Sequence, residues 1–204
     1  MSKDLLVLVA DAQQENTLKT LLNERQPALA IRAVDCDIRR HPRKDAGVFH
    51  EAHDFLAIFQ PPQYHHALVV LDREWDGAPG DAEQQRSLIL QRLHASGWQT
   101  GTCEVIVCDP ELEAWVWANS RHVPDVLRTK WDAIHKLGQE RDYWPAGTLK
   151  PSRPKELLEA ILRQQNRPRS LSIFQDLARR VSVRNCQDPA FNLLQQTLAS
   201  WFAA

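Results

Sequence analysis

The sequence has no apolar run near the roughly 18–20 residues that a membrane-spanning helix requires, so it reads as a soluble protein. Asp4 interrupts the start before a signal-peptide core can form, which points to the cytoplasm. Cys36, Cys103, Cys108 and Cys186 follow no metal-ligand spacing, and without a secretory signal they read as free, mostly buried thiols. Cys103 and Cys108 share an expected strand at an odd offset, which turns their side chains to opposite faces. No G-x-S-x-G elbow, P-loop or G-x-G-x-x-G turn occurs, which removes serine-hydrolase and nucleotide-fold chemistry by those routes. No H-E-x-x-H occurs either. His50, His53 and Asp54 stand at helical offsets able to share a face, but a partly exposed helix surface accounts for them better than zinc does.

Excess charge of either sign is also missing: 25 Lys+Arg against 26 Asp+Glu leave a net charge of -1 in 204 residues. That balance conceals a division. Residues 1–118 carry 11 basic and 18 acidic side chains, whereas residues 119–204 carry 14 and 8. An acidic half followed by a basic half suits a polyanion partner, a metal site beside one, or simply basic helical surfaces.

Hydrophobic residues at 43% and charged residues at 25% supply an ordinary globular core. Apolar runs at residues 5–9, 29–34, 67–71 and 103–107 read as strands, the first and third continuously apolar as strands covered on both faces are. Helix-period stripes lie between them: Leu18, Leu21 and Leu22; then Val48, Ala52, Phe55, Leu56 and Phe59; then Leu88, Ile89 and Leu93. This alternation predicts an α/β fold with a mostly parallel four-stranded sheet flanked by helices. After the fourth strand only helices are expected. Asp109-Pro110 and Asp188-Pro189 each read as an N-cap with proline at the first helical position, and residues 145–154 as a loop. The division is therefore an α/β unit over 1–118 and a basic helical extension over 119–204 that packs on it.

Ligands of open α/β sheets bind beyond the carboxyl ends of the strands. Each expected strand runs into an aspartate there: Asp11, Asp35, Asp72 and Asp109, with Glu15, Asp37, Glu74, Asp76, Glu111 and Glu113 close behind. Any one of these is readily an N-cap. As a set on one rim they repel unless a hard, oxygen-seeking cation such as Mg²⁺ or Mn²⁺ neutralises them. Asp72, Glu74 and Asp76 would project together from an extended stretch, with Gly77 turning the chain away. The candidate metal ligands are thus Asp11, Glu15, Asp72, Glu74, Asp76, Glu111 and Glu113. Basic side chains of the C-terminal half, whose residues 163–169 read as a basic loop, are the first candidates to hold a phosphate backbone, and Arg39, Arg40, Arg43 and Lys44 form a second candidate strip, or a solvated loop. Trp115 and Trp117 read as packing residues rather than base-stacking platforms.

An acid after the first strand, an acidic pair after a later one and an acidic helix start together resemble TOPRIM-type domains. More narrowly, Cys108-Asp109-Pro110-Glu111-Leu112-Glu113-Ala114-Trp115 resembles the N-P-x-F-E-x-W segment of RloB-like proteins, TOPRIM-like proteins of bacterial anti-phage and restriction loci. The chain is also similar to a component of methylation-associated defence systems. The resemblance implies a TOPRIM-like fold and metal-dependent phosphodiester cleavage, with nucleic acid and other defence proteins as partners. Its catalytic residues would be Asp11 in place of the family's first glutamate, Asp72 and Glu74 as the D-x-D pair, and Glu113 as the glutamate before tryptophan. Aspartate at 11 and glutamate at 74 depart from the pattern and allow a weakened or inactive site. Two other readings remain open. One is a non-catalytic accessory subunit of a defence complex. The other is a receiver-like phosphoacceptor domain, mimicked by Asp11, Asp72 and Gly77 but without Ser/Thr after the fourth strand or a fifth strand carrying Lys-Pro.

Overall fold

A computed structural model of the chain describes residues 2–183 and 186–204. The first half alternates strand and helix: β1 (Lys3–Val9), α1 (Ala12–Glu24), the single turn α2 (Gln26–Leu29), β2 (Cys36–Arg40), α3 (Lys44–Ala57), β3 (Tyr64–Asp72), α4 (Ala82–Ala95) and β4 (Cys103–Cys108). A 3₁₀ segment, Leu112–Trp117, then leads to α5 (His122–Leu127), α6 (Trp131–Glu140), α7 (Pro154–Gln164), α8 (Leu171–Arg180) and α9 (Pro189–Phe202). The expected loop between helical pairs falls between α6 and α7, and Asp188 caps α9 by accepting the Phe191 N–H at 3.1 Å. No helix among the described residues is long and apolar enough to cross a membrane.

The sheet is parallel throughout, in the order β2-β1-β3-β4. Side chains of β1 alternate between two cores. Leu5, Val7 and Val9 meet Leu18, Leu21 and Leu22 of α1 and Leu194 and Leu198 of α9. Leu6 and Leu8 meet Val48, Ala52 and Leu56 of α3 and Ile89 and Leu93 of α4. Covering both faces explains why β1 and β3 are apolar without alternation. Cys103 and Cys108 fall in opposite cores, as their odd offset requires, and all four cysteines are free. The first core runs on through Trp115, Trp117, Leu157 and Phe174, so the C-terminal helices share it. Arg25 reinforces this by donating to the carbonyls of Ala178 (2.7 Å) and Val181 (3.1 Å) at the end of α8.

Two expectations are corrected. Residues 29–34 form no strand: Leu29 closes α2, Ile31 makes one antiparallel bridge to Ala203, and the Arg32 N–H bonds the Phe202 carbonyl. This apolar run packs against α9 instead of joining the sheet. The second strand is Cys36–Arg40, an edge strand whose burial is partial, so its sequence is too polar to stand out as an apolar run. Asp35 and Asp37 consequently leave the carboxyl-end rim. Asp35 accepts the Asp4 N–H through its carbonyl, and Asp37 pairs with Lys3 at 2.7 Å. Arg40 and His41 occupy the end of β2 in their place.

Asp109-Pro110 likewise starts no helix. The carbonyls of Cys108 and Pro110 accept the N–H groups of Arg73 and Glu74, so this stretch pairs with the chain leaving β3. Asp109 holds Arg73 at 2.5 Å, and the 3₁₀ turn begins after Glu111.

Candidate metal centre

The connection from β1 goes to one side of the sheet and that from β2 returns to the other. The carboxyl ends of β1 and β3 are therefore neighbours at the point where the strand order reverses, the position of ligand crevices in open α/β sheets. An open cleft of about 740 Å³ lies there, lined by Asp11, Asp45, Asp72, Glu74, Glu111 and Glu113 and by Arg40, Lys44, Lys155 and Arg169.

Asp11 leaves β1 and caps α1. Its Oδ1 accepts the Gln13 and Gln14 N–H groups, both at 2.9 Å, which accounts for aspartate after an apolar strand. One turn inside, the buried Gln14 accepts the Ala10 N–H at 2.9 Å and donates to Asp72 Oδ1 at 3.0 Å. The same Asp72 oxygen accepts the Leu112 N–H at 2.9 Å. The backbone N–H of Asp72 donates to Asp45 Oδ1, at 2.9 Å, from the first turn of α3. The helices α1 and α3 and the 3₁₀ segment thus all bond this last residue of β3.

Glu111 and Glu113 bracket the start of the 3₁₀ segment. Glu111 accepts the backbone N–H of Lys155 at 3.1 Å and lies 3.5 Å from its ammonium group. Glu113, 2% exposed, is bonded to the Arg169 guanidinium. One carboxylate oxygen each from Asp72, Glu111 and Glu113 lies within 4.8 Å of the others.

Burial sets the electrostatics. The Asp72 residue keeps an exposed edge, yet its carboxyl sits deep in protein; burial first, then the charges of Asp45, Glu113 and Asp11, hold it well above the usual carboxylate range. Burial raises Asp45 as well, against the hydrogen bond from Asp72. Glu113 is pushed up to about 7 by burial, which outweighs the opposing pull of Arg169. Glu111 is raised for the same first reason, with Lys155 pulling it back.

Of the seven acids read as ligands, three converge. Asp11 faces the cleft with one oxygen engaged in capping, and exposed Glu74 lines it while bonded to Arg73 at 2.5 Å. Glu15 turns to Arg40 at 2.9 Å. Asp76 is exposed and outside the cleft, because the chain leaves extended geometry after Asp72 and turns at Gly77, whose φ is +83°. The side-by-side projection expected of Asp72, Glu74 and Asp76 is therefore not found. In the basic strip, Arg40 and Lys44 line the cleft. Arg43 pairs with Glu51, and Arg39 lies over the Phe59 ring, 4.8 Å from its centroid. His50, His53 and Asp54 form no group that could hold a metal.

Four residues around the cleft were not named as members of a site, although the basic half that supplies Lys155 and Arg169 was expected to hold a phosphate backbone. Asp45 stood beside Lys44 in a basic stretch, Gln14 inside a helix, Lys155 in α7, and Arg169 in a basic loop. Only the tertiary placement of α1, α3, α7 and the loop before α8 brings them in. Among the described residues, the ion pairs Lys155–Glu111, Arg169–Glu113 and Arg179–Glu24 join the basic half to the acidic one.

Three clustered carboxylate oxygens fit a hard divalent cation, which takes oxygen ligands and tolerates buried acids that otherwise repel. A smaller apolar cavity, about 50 Å³ between Leu21, Phe174, Leu177 and Phe191, offers no comparable chemistry. No protein-family model matches the chain, and no curated protein or solved structure matches it.

Proposed function

We propose that the protein is a TOPRIM-like nuclease of bacterial anti-phage defence, working in the cytoplasm and cleaving phosphodiester bonds with Mg²⁺ or Mn²⁺. The observation that carries this reading is the three-acid group of Asp72, Glu111 and Glu113 at the strand-order reversal, in a cleft that Arg40 and Lys44 also line. The defence context rests on the Asp109-Pro110-Glu111-Leu112-Glu113-Ala114-Trp115 resemblance.

Asp72, Glu111 and Glu113 would hold the cation, with Asp11 and Glu74 at the cleft wall. Bound there, the cation supplies charge neutralisation and a more acidic water for attack on phosphorus. Gln14 and the Leu112 N–H orient the Asp72 carboxylate, and Asp45 fixes its backbone. Arg40 and Lys44 would attract the phosphate backbone, a contact that positions substrate without reading sequence.

The test is cleavage of DNA and of RNA in Mg²⁺ or Mn²⁺ by the wild type, Asp72→Ala and Glu113→Ala. Activity is expected in the wild type alone. Equal cleavage by both variants would sink the site assignment.

A non-catalytic accessory subunit is the second reading, favoured by one observation: Lys155 and Arg169 already neutralise Glu111 and Glu113 from within the chain. Calorimetry separates the two, since a scaffold with a lost site takes up no Mn²⁺. A receiver-like phosphoacceptor has less support. One Asp72 oxygen, Oδ1, is already engaged by Leu112 and Gln14, and the sheet of the described residues has four strands. Acetyl-phosphate labelling at Asp72 would favour it.

A further inference from the structure

Arg169 stands in the short connection between α7 and α8, and reaches across to the acidic cleft. Its guanidinium bonds Glu113, donates to Gln13 Oε1 at 3.2 Å, and lies 3.5 Å from Glu159. The Cζ atom lies 5.3 Å from the centroid of the Phe174 ring, which supports the side chain from behind. The fork is only partly used: Nε is buried with no acceptor among the described residues.

Lys155 offers an instructive contrast. It is tied to Glu111 through its backbone N–H as well as its ammonium group, so that pairing also anchors the first turn of α7. Arg169 meets Glu113 through its side chain alone. Its hold can be exchanged without moving a helix.

Glu113 belongs both to this ion pair and to the three-acid group. A cation held by three carboxylates outbids one guanidinium for Glu113, and the displaced fork remains beside the cation, tethered by the Phe174 contact. A planar guanidinium there matches two phosphate oxygens at once, as a lysine ammonium does not. We propose that Arg169 is the phosphate-binding side chain of the cleft, parked on Glu113 until a divalent cation takes that carboxylate. This rests on the metal-site reading above and names the ligand chemistry that completes it: a phosphodiester oxygen pair.

The experiment measures two equilibria on the full chain, without turnover. Mn²⁺ binding is followed by calorimetry, and dimethyl phosphate binding in saturating Mg²⁺ by its ³¹P shift. Arg169→Ala is expected to bind Mn²⁺ about tenfold tighter than wild type, because a charge-assisted competitor for Glu113 is gone. It is also expected to bind dimethyl phosphate about tenfold more weakly, having lost a bidentate partner. Arg169→Lys keeps the charge but loses the fork, so Mn²⁺ affinity stays near wild type while phosphate binding weakens. If Arg169→Ala fails to fold by circular dichroism, Arg169→Lys carries the test alone. Wild-type phosphate affinity in the lysine variant, or unchanged Mn²⁺ and phosphate affinities in the alanine variant, would overturn the proposal. Asp72→Ala separates the parent reading: Mn²⁺ binding unchanged by that substitution removes the metal site itself, and the proposal with it. Loss of Mn²⁺ binding in Asp72→Ala, beside unchanged Arg169 variants, removes the proposal alone.

Discussion

The Asp45 carboxylate, in the first turn of α3, accepts the backbone N–H of Asp72 at the end of β3, at 2.9 Å. One acid thus holds the main chain of another at the floor of the cleft. The bond fixes where β3 stops and keeps two carboxyl groups close although both are costly to ionise.

Asp45→Ala removes that acceptor and leaves a part-buried N–H unpaired. The expected loss of stability is about 1–3 kcal/mol. Asp45→Asn keeps an oxygen in place and removes a charge, so it should sit near wild type or above it. Urea unfolding of both variants checks this. Equal destabilisation by Ala and Asn would mean that the charge, not the hydrogen bond, is what Asp45 contributes.

Gly47 makes room for His41, which is buried at the end of β2 and lines the cleft. A Cβ at position 47 would stand 2.0 Å from His41 Nδ1 and 2.7 Å from the Arg43 Cβ. Gly47→Ala must therefore displace the ring, at a cost of about 1–3 kcal/mol for overpacking, despite the better helix propensity of alanine. Denaturation, with the His41 ring resonances read by NMR, tests it. An unshifted ring and unchanged midpoint would refute the packing argument.

Asp188, which caps α9, ties that helix to the 3₁₀ segment and to the loop before α7. Its Oδ1 accepts the Trp115 indole N–H and the Phe191 N–H, both at 3.1 Å, and Oδ2 accepts from Lys150 at 2.5 Å. Its side chain is 4% exposed. Asp188→Ala deprives α9 of its cap and strands a lysine charge and an indole N–H, an expected loss of about 3–5 kcal/mol. Lys150→Met leaves both N–H bonds intact and should cost less. The reverse order in guanidinium unfolding would contradict this assignment.

Asp4 predicts the acid limb of stability. Its hydrogen bonds with Arg32 hold the carboxyl at about 2, below its reference value of 3.8. A lowered folded value means that the unfolded chain binds more protons. The contribution is complete above about pH 4 and disappears as pH falls toward about 2. Both partners are partly exposed, so solvent screening limits it to below about 1 kcal/mol. Arg32→Gln should destabilise the protein near pH 5 and match wild type near pH 2. A constant offset between the two curves would exclude this linkage.

The legible part of the fold was the part governed by local pattern. Apolar runs identified β1, β3 and β4, and those of β1 and β3 are continuous because covering both faces demands unbroken hydrophobicity. The stripes of α1, α3 and α4 followed from their 3.6-residue period, and Asp188-Pro189 marked the start of α9. β2 escaped because an edge strand with partial burial needs few apolar residues, while Leu29 and Ile31 are apolar in order to pack within the core shared with the C-terminal helices. Asp109-Pro110 carried the same dipeptide signal as Asp188-Pro189 and did not cap a helix. Its neighbouring carbonyls were engaged by the chain leaving β3, a long-range contact invisible to local pattern.

The candidate site divides along the same line. Strand ends and their acids are sequence properties, and in a parallel sheet they must gather on one edge, so Asp11, Asp72, Glu111 and Glu113 were found by order alone. Tertiary structure decided which oxygens meet. It turned Glu15 to Arg40, sent Asp76 outward at Gly77, and brought in Asp45, Gln14, Lys155 and Arg169 from elements whose sequence distance says nothing of proximity. It also decided what the charge division means. Composition places acidic residues in one half and basic residues in the other; only packing of α7 and the loop before α8 against the sheet edge sets Lys155 and Arg169 on Glu111 and Glu113. Burial there removes the water that would otherwise screen each charge, so the carboxylates must find a partner at close range.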